Sequence, residues 1–468
     1  MSRYALLPAS LVSTAYSIEH ASYPEDEEAS LEALTYRQAN AGEHFLAAFA
    51  SEPETNTNNS TCTNIQGYIC SSLTKSFDHD SLSVHDPNGD ILAIHSVCVD
   101  EKYRRKRIAY NMLRHYISEA ATHNNIKTIK LMAKEHLVDF YVGAGFTCYG
   151  LSPILHGADR WFDLSLDLVD YRRPTFIVVD AFANQAGMGN PACVVQLQPK
   201  LPKSQTWKQV VAKEFNLSET VYITKQADEL YCYDIAYYTP IIEVLLCGHA
   251  TLASASVLFQ TGEVAKDQTI TFITANKVRL NATFIFETEQ IELVFPANMP
   301  TLYPNPEPVH TVIESAFKIR TDDIKYTGFT KYIKADGSEG IEDVLVEVTQ
   351  QAFENVQDIN LSTLSTTSAF DCGVILTCKG GGPTGSSFQS RFFAPKAGIN
   401  EDPVCGRAHC ILAPYYQSQV GDLAALPLRG FQNSGRSGVV DCFVEGGDKV
   451  ILRGNFVHVS EGRVLMAD

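Results

Sequence analysis

YYTPIIEVLLCGHATLASA, residues 237–255, and SRFFAPKAGINEDPVCGRAHCILAPYY, residues 390–416, share an E-x-x-x-C-G-basic-A spacing, Glu243 to Ala250 in one and Glu401 to Ala408 in the other. An apolar run of helical length follows each Cys-Gly pair, which predicts two helices starting near Gly248 and Gly406. A helix start presents backbone N–H groups without intrahelical partners, at the positive end of the dipole. Two such starts at corresponding places in two lobes read as paired half-sites facing one ligand, and a ligand carboxylate suits them.

Working outward, polar residues recur in turns beside apolar strands: Asn190 in GMGNPACVV, Glu219 in NLSETVYI, His249 in CGHAT and Asp402 in GINEDPVCG. A partly buried Glu219 has a raised pKa and moves a proton near neutral pH. Taken alone, Glu219 reads equally as a cap or an exposed acid. Cys405, His409 and Cys410 lack a fourth ligand nearby and fall on an expected apolar helix, so no metal is expected. No Walker motif, flavin fingerprint or pyridoxal-phosphate lysine context is present in the sequence.

The first third of the chain is organised around ILAIHSVCVDEKYRRKRIAYNMLRHY, residues 91–116. Residues 91–99 predict a buried strand, and Ile108, Ala109, Met112, Leu113, Tyr116 and Ile117 form one face of a helix starting at about Arg104. The basic turn between them suits a pyrophosphate, although YRRKR alone also reads as a solvated cap. Residues 128–133 and 161–169 predict further strands, and the polar run SEPETNTNNSTC, 51–62, reads as a surface insertion. YRRPT, 171–175, punctuates the chain, placing a domain boundary at 168–174. No comparable divider appears in 174–468.

The composition frames these readings. A chain of 468 residues, 45% apolar, accommodates two or three domains with cores of their own. The net charge of -17 opposes a broad nucleic-acid or anionic-membrane surface. No stretch approaches the roughly 20 apolar residues of a membrane span, and no signal peptide is expected. Twelve dispersed cysteines fit a reducing, cytoplasmic setting better than a disulfide framework.

IEHASYPEDEEA, the basic turn, KEHLVDFYVGAGF and GLSPILHG occur in that order over residues 1–170, which resemble the GCN5-related N-acetyltransferases (GNAT), particularly their arylalkylamine branch. The resemblance implies acetyl-CoA as cosubstrate. Its signature R/Q-x-x-G-x-G/A falls on Arg104, Arg105, Lys106, Arg107, Ile108 and Ala109, with Val97 and Val99 on the preceding strand. Arg107 stands at the central glycine, where a side chain obstructs a close backbone approach or contacts phosphate instead. His95 matches one of two proton-relaying histidines, the other position being Ala93, and Tyr141 matches the tyrosine that protonates the departing thiolate. Locally, His95 also reads as a core or surface histidine, and Tyr141 as part of an aromatic core with Phe140 and Phe146.

Residues 174–468 resemble the phenazine-biosynthesis (PhzF-like) isomerases throughout: DAFANQAGMGNPACVV, FNLSETVYI, both opening segments and GNFVHVSEG follow that family's order. The implied fold is mixed α/β and diaminopimelate-epimerase-like. Two lobes divide at about 285–295, each with a curved sheet around a central helix, and the C-terminal strand closes the second. The resemblance places the acid/base carboxylate on Glu219, supported by His249 and Asp402, with Asn190, Gly248, Gly406 and Arg407 at the substrate. The family commonly has Thr-Gly-Ser after EDPV, where this chain has Cys405-Gly406-Arg407; Arg407 then offers a bidentate partner for a carboxylate. Cys247 and Cys405 fall where related epimerases place two opposed thiols, so a two-thiol reaction is the competing mechanism, with helix-start amides lowering one thiol pKa.

The resulting expectation is an isomerase or epimerase acting on a small carboxylated metabolite, fused to an acetyl-CoA-dependent amine N-acetyltransferase. It needs no cofactor in the C-terminal domain and no nucleic acid or membrane, and a homodimer is compatible with it. The alternatives are a degenerate N-terminal module used for binding or dimerisation, and ligand sensing by both modules.

Overall fold

The computed structural model describes residues 2–50, 64–333, 339–383, 385–420 and 427–466. The expected insertion at 51–62 lies outside the described residues. The chain divides into two compact units, Met1–Arg173 and Pro174–Asp468.

The first unit is a seven-stranded sheet in the order β1 (Ser2–Leu6), β2 (Phe45–Ala50), β3 (Ile65–Thr74), β4 (Ile91–Val99), β5 (Thr128–Lys134), β7 (Trp161–Asp167), β6 (Thr147–Leu151). Neighbours are antiparallel except β4 and β5, which run parallel and pair only over Ile91–Ala93 with Thr128–Lys130. Beyond Ala93 the two strands are not paired. Helices α1 (Val12–His20) and α2 (Leu31–Ala41) pack against β3, and α3 (Ile108–Ala120) packs on β2, β3 and β4. The buried face of α3, Ile108, Met112, Leu113, Tyr116, Ile117 and Ala120, follows the 3.6-residue period that its sequence shows.

That helix starts at Ile108 rather than at about Arg104. Residues 101–103 form a short 3-10 turn, and Arg105 and Arg107 then take left-handed backbone angles, φ 61° and φ 60°, which no α-helix accommodates.

In the second unit, helix Gly248–Gln260 is buried from His249 through Phe259, so it is surrounded on all sides and turns no face to solvent over that stretch. Around it run β8 (Thr175–Ala181), β9 (Asn190–Leu197) and β10 (Glu219–Lys225), followed by Cys232–Tyr238, Ile270–Ile273, Arg279–Ile285 and Gln290–Pro296. Strand Gln290–Pro296 pairs with Lys449–Gly454, which joins this ladder to the second set of strands around helix Gly406–Val420. One core cluster takes in both central helices, with Ala250, Leu252 and Val257 from one and Ala408, Ile411 and Leu412 from the other. A separate cluster seats Val309, Ile313 and Phe317 of helix Glu307–Phe317 on the outer face of the strands carrying Val344, Val346, Val374 and Leu376.

The C-terminal strand departs from expectation. Phe456–Arg463 pairs antiparallel with β8, Phe456 opposite Ala181 and Arg463 opposite Thr175, so it closes the first lobe rather than the second. Its edge is thereby covered by the strand that opens the unit. Among the described residues no helix is long and apolar enough to cross a membrane.

Candidate active sites

In the second unit, Asn190, Glu219, His249 and Asp402 come from four separate elements to one place. Asn190 is the first residue of β9 and Glu219 the first of β10; His249 is the second residue of its helix, and Asp402 ends strand Ile399–Asp402. Gly189, just before Asn190, has φ +66°, and a Cβ there would sit 2.2 Å from the Ala181 carbonyl oxygen. Only glycine makes this turn without moving the backbone. Arg436 secures the same turn, donating to the carbonyls of Gly189 at 3.0 Å and Met188 at 3.1 Å and to Asp180 at 2.6 Å.

Asn190 Nδ2 lies 2.6 Å from Asp402 Oδ1, 3.0 Å from the Val404 carbonyl and 3.1 Å from His249 Nδ1. Two N–H groups thus face three acceptors. Gln432 holds the opposite side, accepting from the Cys405 amide at 2.8 Å and donating to the Asp402 carbonyl at 2.6 Å. Glu219 is buried, and its Oε2 has no hydrogen-bond partner among the described residues.

Burial raises the Glu219 carboxyl to about 8, with repulsion from Asp402 as the second cause. Asp402 is raised to about 6, again by burial, and the hydrogen bonds it accepts oppose that rise. Burial also lowers His249 to about 3, so its imidazole is neutral. Near neutral pH the arrangement therefore holds one ionised carboxylate, one protonated carboxyl and a neutral imidazole.

The helix starts at Gly248 and Gly406 face each other. A Cβ on Gly248 would lie 3.6 Å from Gly406 Cα, and one on Gly406 would lie 3.5 Å from Gly248 Cα. Cys247 sits at the first helix start, with Sγ 3.2 Å from His249 Nδ1, and the Ala408 amide donates to Cys405 Sγ at 3.5 Å. The helix-start amides do favour the thiolates, yet burial and the nearby carboxylates push both thiols well above their ordinary value. This corrects the expected lowering, because desolvation outweighs the amide contacts.

Arg407 is likewise committed within the chain. Its guanidinium donates to Glu342 at 2.8 Å, Asp343 at 3.0 Å and Cys372 at 3.1 Å. Asp343 is almost fully buried, and Arg407 supplies its counter-charge. The carboxylates bound by Arg407 are thus the protein's own, in place of the ligand carboxylate expected from the sequence. Glu342, Asp343, Gln432 and Arg436 were not singled out in the sequence; each lies in a strand or turn whose local pattern is ordinary.

In the first unit, the β3–β4 ladder shifts register between Cys70–Ser96 and Ser71–Ile94, leaving His95 as the extra residue of a bulge. A bulge re-aims its side chain, and His95 lines a cavity of about 500 Å³ with Glu19, Tyr23, Arg37, Phe77 and Trp161. His95 Nε2 is hydrogen-bonded to Ser72 Oγ at 2.8 Å. Burial, and secondarily the Arg37 charge, hold its pKa well below the ordinary value, so it is a neutral base. Tyr141 is buried between Phe140 and Phe146, at centroid separations of 4.9 and 5.9 Å, with its hydroxyl pushed up by burial.

Val97 and Val99 lie on the part of β4 that has left β5. The Val97 amide meets the Tyr23 hydroxyl, and the Val99 carbonyl accepts from Arg104 Nε at 2.9 Å. Arg105, Lys106 and Arg107 are exposed in front of α3. Their alternating left-handed residues form a concave backbone of the kind that receives a phosphate, and the helix start adds to it. The expected obstruction by Arg107 does not extend to the backbone, which keeps the conformation glycine would give. The donor set of this turn fits an acyl-CoA pyrophosphate.

A sheet split between β4 and β5 over a basic helix start defines an acyltransferase fold, and two lobes whose central helices meet at a buried carboxyl pair define a diaminopimelate-epimerase-related one. Residues 179–462 match the family model described as phenazine biosynthesis-like protein, PhzC-PhzF, and residues 82–157 match that of the acetyltransferase (GNAT) domain. An uncharacterized isomerase of Halalkalibacterium halodurans is 34% identical over 292 residues, covering 62% of this chain and 97% of that protein. The human phenazine biosynthesis-like domain-containing protein is 34% identical over 301 residues, covering 62% and 98%. The crystal structure of a PhzF-family protein from Enterococcus faecalis matches with TM-score 0.51 at 31% identity, covering 62% of this chain and 99% of that one. The chain belongs to the phenazine biosynthesis-like (PhzF) family and carries a GNAT-like fold fused ahead of it.

Proposed function

We propose that the second unit is an isomerase that moves a proton within a small carboxylated metabolite, with Glu219 as the acid/base group. The observation that carries this reading is the Glu219 carboxyl, buried with Oε2 unpartnered and raised to about 8 beside Asp402. A carboxyl with a value near the working pH both accepts and returns a proton. Its carboxylate takes a proton from an activated carbon, the electron pair shifts into the substrate's π-system, and the same carboxyl returns the proton to another carbon. Asp402 and the neutral His249 position the substrate, and the facing helix starts at Gly248 and Gly406 receive its carboxylate. Both thiols are held protonated, and among the described residues no cation stands beside Cys247 to ionise it, which favours the carboxylate mechanism over the thiol pair.

In the first unit the same proposal assigns acyl transfer from acetyl-CoA to a small amine. Acetyl-CoA supplies an activated acetyl thioester, and the residues that hold it are the turn Arg104–Ala109 with the free segment of β4 around Val97 and Val99. His95 takes the amine proton, directly or through water, and Tyr141 protonates the thiolate that leaves.

Both readings are tested on the full-length protein. Solvent-deuterium incorporation into a panel of small carboxylated metabolites should occur with wild type and disappear in Glu219→Gln. Exchange that survives in Glu219→Gln and is lost in both Cys247→Ala and Cys405→Ser would overturn the carboxylate mechanism. Release of free CoA thiol from acetyl-CoA in the presence of an amine panel tests the first unit, and its absence with every amine removes the acyl-transfer reading.

A further inference from the structure

Four acidic side chains line the cavity beside His95, Glu19, Glu27, Glu28 and Glu32, and the first three are engaged within the protein. Glu19 accepts from Tyr68, from Ser96 at 2.8 Å, from Cys98 at 3.0 Å and from the Ala29 amide at 3.1 Å. Glu27 is paired with Lys134 at 2.7 Å, and Glu28 with His20 at 2.7 Å. Glu19, Glu27 and Glu28 thus have little capacity left for a ligand cation, and Glu32 stands exposed to solvent at the cavity's edge.

Arg37 is in the opposite situation. It projects from α2 to the cavity wall, where it forms no ion pair among the described residues, and its Nη1 is buried with no hydrogen-bond partner. Its neighbours are the buried Cys70 thiol, which burial keeps neutral by raising it to about 12, and His95. Neither supplies a counter-charge. A guanidinium with a buried, unused N–H beside a cavity is costly until an anion fills the fork, and its planar geometry suits a carboxylate. Phe77, Ile154 and Trp161 line the same space with apolar surface.

We infer that the acyl acceptor of the first unit is an amino acid with an apolar or aromatic side chain, its carboxylate held by Arg37, its amine at His95 and its side chain against Phe77 and Trp161. This rests on the acyl-transfer reading and narrows it. A simple arylalkylamine, the acceptor expected from the sequence, leaves the Arg37 Nη1 without a partner and the guanidinium without a counter-charge. With the carboxylate on Arg37, the amine is brought to His95, the imidazole that the bulge turns toward the cavity.

The test uses the full-length protein and matched pairs: L-phenylalanine against phenethylamine, and L-tryptophan against tryptamine. Acetyl-CoA-dependent thiol release and calorimetric binding are both measured. The expected result is a higher kcat/KM and tighter binding for the carboxylated member of each pair. Arg37→Gln should lower both by roughly tenfold to a hundredfold, as expected for loss of hydrogen bonds to a charged group, and reverse the preference within each pair. Arg37→Lys, which keeps the charge without the fork, should fall between. Preference of the wild type for the decarboxylated amine overturns the inference while leaving acyl transfer intact. Binding of the amino acid that Arg37→Gln abolishes, without turnover of any amine, keeps the amino-acid site at Arg37 but overturns its role as acyl acceptor together with acyl transfer. Amino-acid binding that Arg37→Gln leaves unchanged belongs to the second unit and also overturns the inference. Neither binding nor turnover with any member of the pairs overturns both readings.

Discussion

Asn190 donates to Asp402 across 2.6 Å, a bond between residues 212 positions apart that joins the start of β9 to the strand leading into the second central helix. The same amide nitrogen reaches His249 and the Val404 carbonyl, so Asn190 orients three groups around Glu219 while its own Oδ1 has no partner among the described residues. Replacing it by Ala strips Asp402 of a donor that lowers its pKa. Asn190→Ala should therefore cost about 1–3 kcal/mol of stability, the usual penalty for stranding buried acceptors, and move Asp402 above its present value of about 6. Urea unfolding and carboxyl-carbon NMR titration measure the two effects.

Glu219 makes stability depend on pH with a definite sign. Its value is 4.5 ordinarily and about 8 in the folded protein, so between these limits the native state holds a proton that the unfolded chain has released. Its contribution is complete below about pH 4.5 and is lost as pH climbs through about 8. Asp402 adds a slope of the same sign over a lower window, ending near 6. Glu219→Gln should flatten the upper part of the curve, leaving that variant more stable than wild type at about pH 9 by a few kcal/mol. Urea unfolding followed through Trp207, in a Trp161→Phe background that removes the first unit's tryptophan, reads this directly.

The same carboxyl sets the pH dependence of turnover. As a base, Glu219 must be ionised, so kcat/KM for proton exchange should rise with pH and level off above an inflection near 8. Cys247→Ala should keep both the limb and its position. A thiol base would move the inflection upward, because both thiols are held above their ordinary value.

Much of this arrangement was legible in the sequence, for identifiable reasons. Strands 91–99 and 128–133 and the apolar face of α3 follow local periodicity, which one helix or strand imposes on its own residues. Asn190, Glu219, His249 and Asp402 stood out because polar residues sit in turns beside apolar runs, and the folded chain does bring them together. What was hidden depends on pairing between distant segments. The bulge at His95 is a one-residue slip against β3 and leaves no trace in the pattern of β4. Arg407 looked available because Glu342 and Asp343, its partners, lie about 65 positions away in a strand of unremarkable sequence. Arg37 follows Tyr36 on α2 and has the spacing of a solvated residue, so only the cavity wall reveals its unused N–H.

Arg107 offers a test in which stability and ligand binding separate. It precedes α3 with φ 60°, in the left-handed region that costs a residue with a Cβ roughly 1–2 kcal/mol, and its side chain is exposed. Arg107→Gly keeps the turn's shape and removes that cost, though it also loosens the unfolded chain, so a net gain of about 1 kcal/mol or less is expected. The backbone concavity in front of α3 is unchanged by the substitution, whereas one exposed positive charge is lost. Acetyl-CoA affinity should therefore survive within a few-fold and become less sensitive to salt, since the remaining attraction comes more from backbone amides than from side-chain charge. Calorimetric titration with acetyl-CoA at low and high salt, beside a thermal melt of each protein, measures both. A loss of binding at every salt concentration would mean that the Arg107 guanidinium itself grips the phosphates, making the departure from glycine a gain in contact rather than a relic of a lost one.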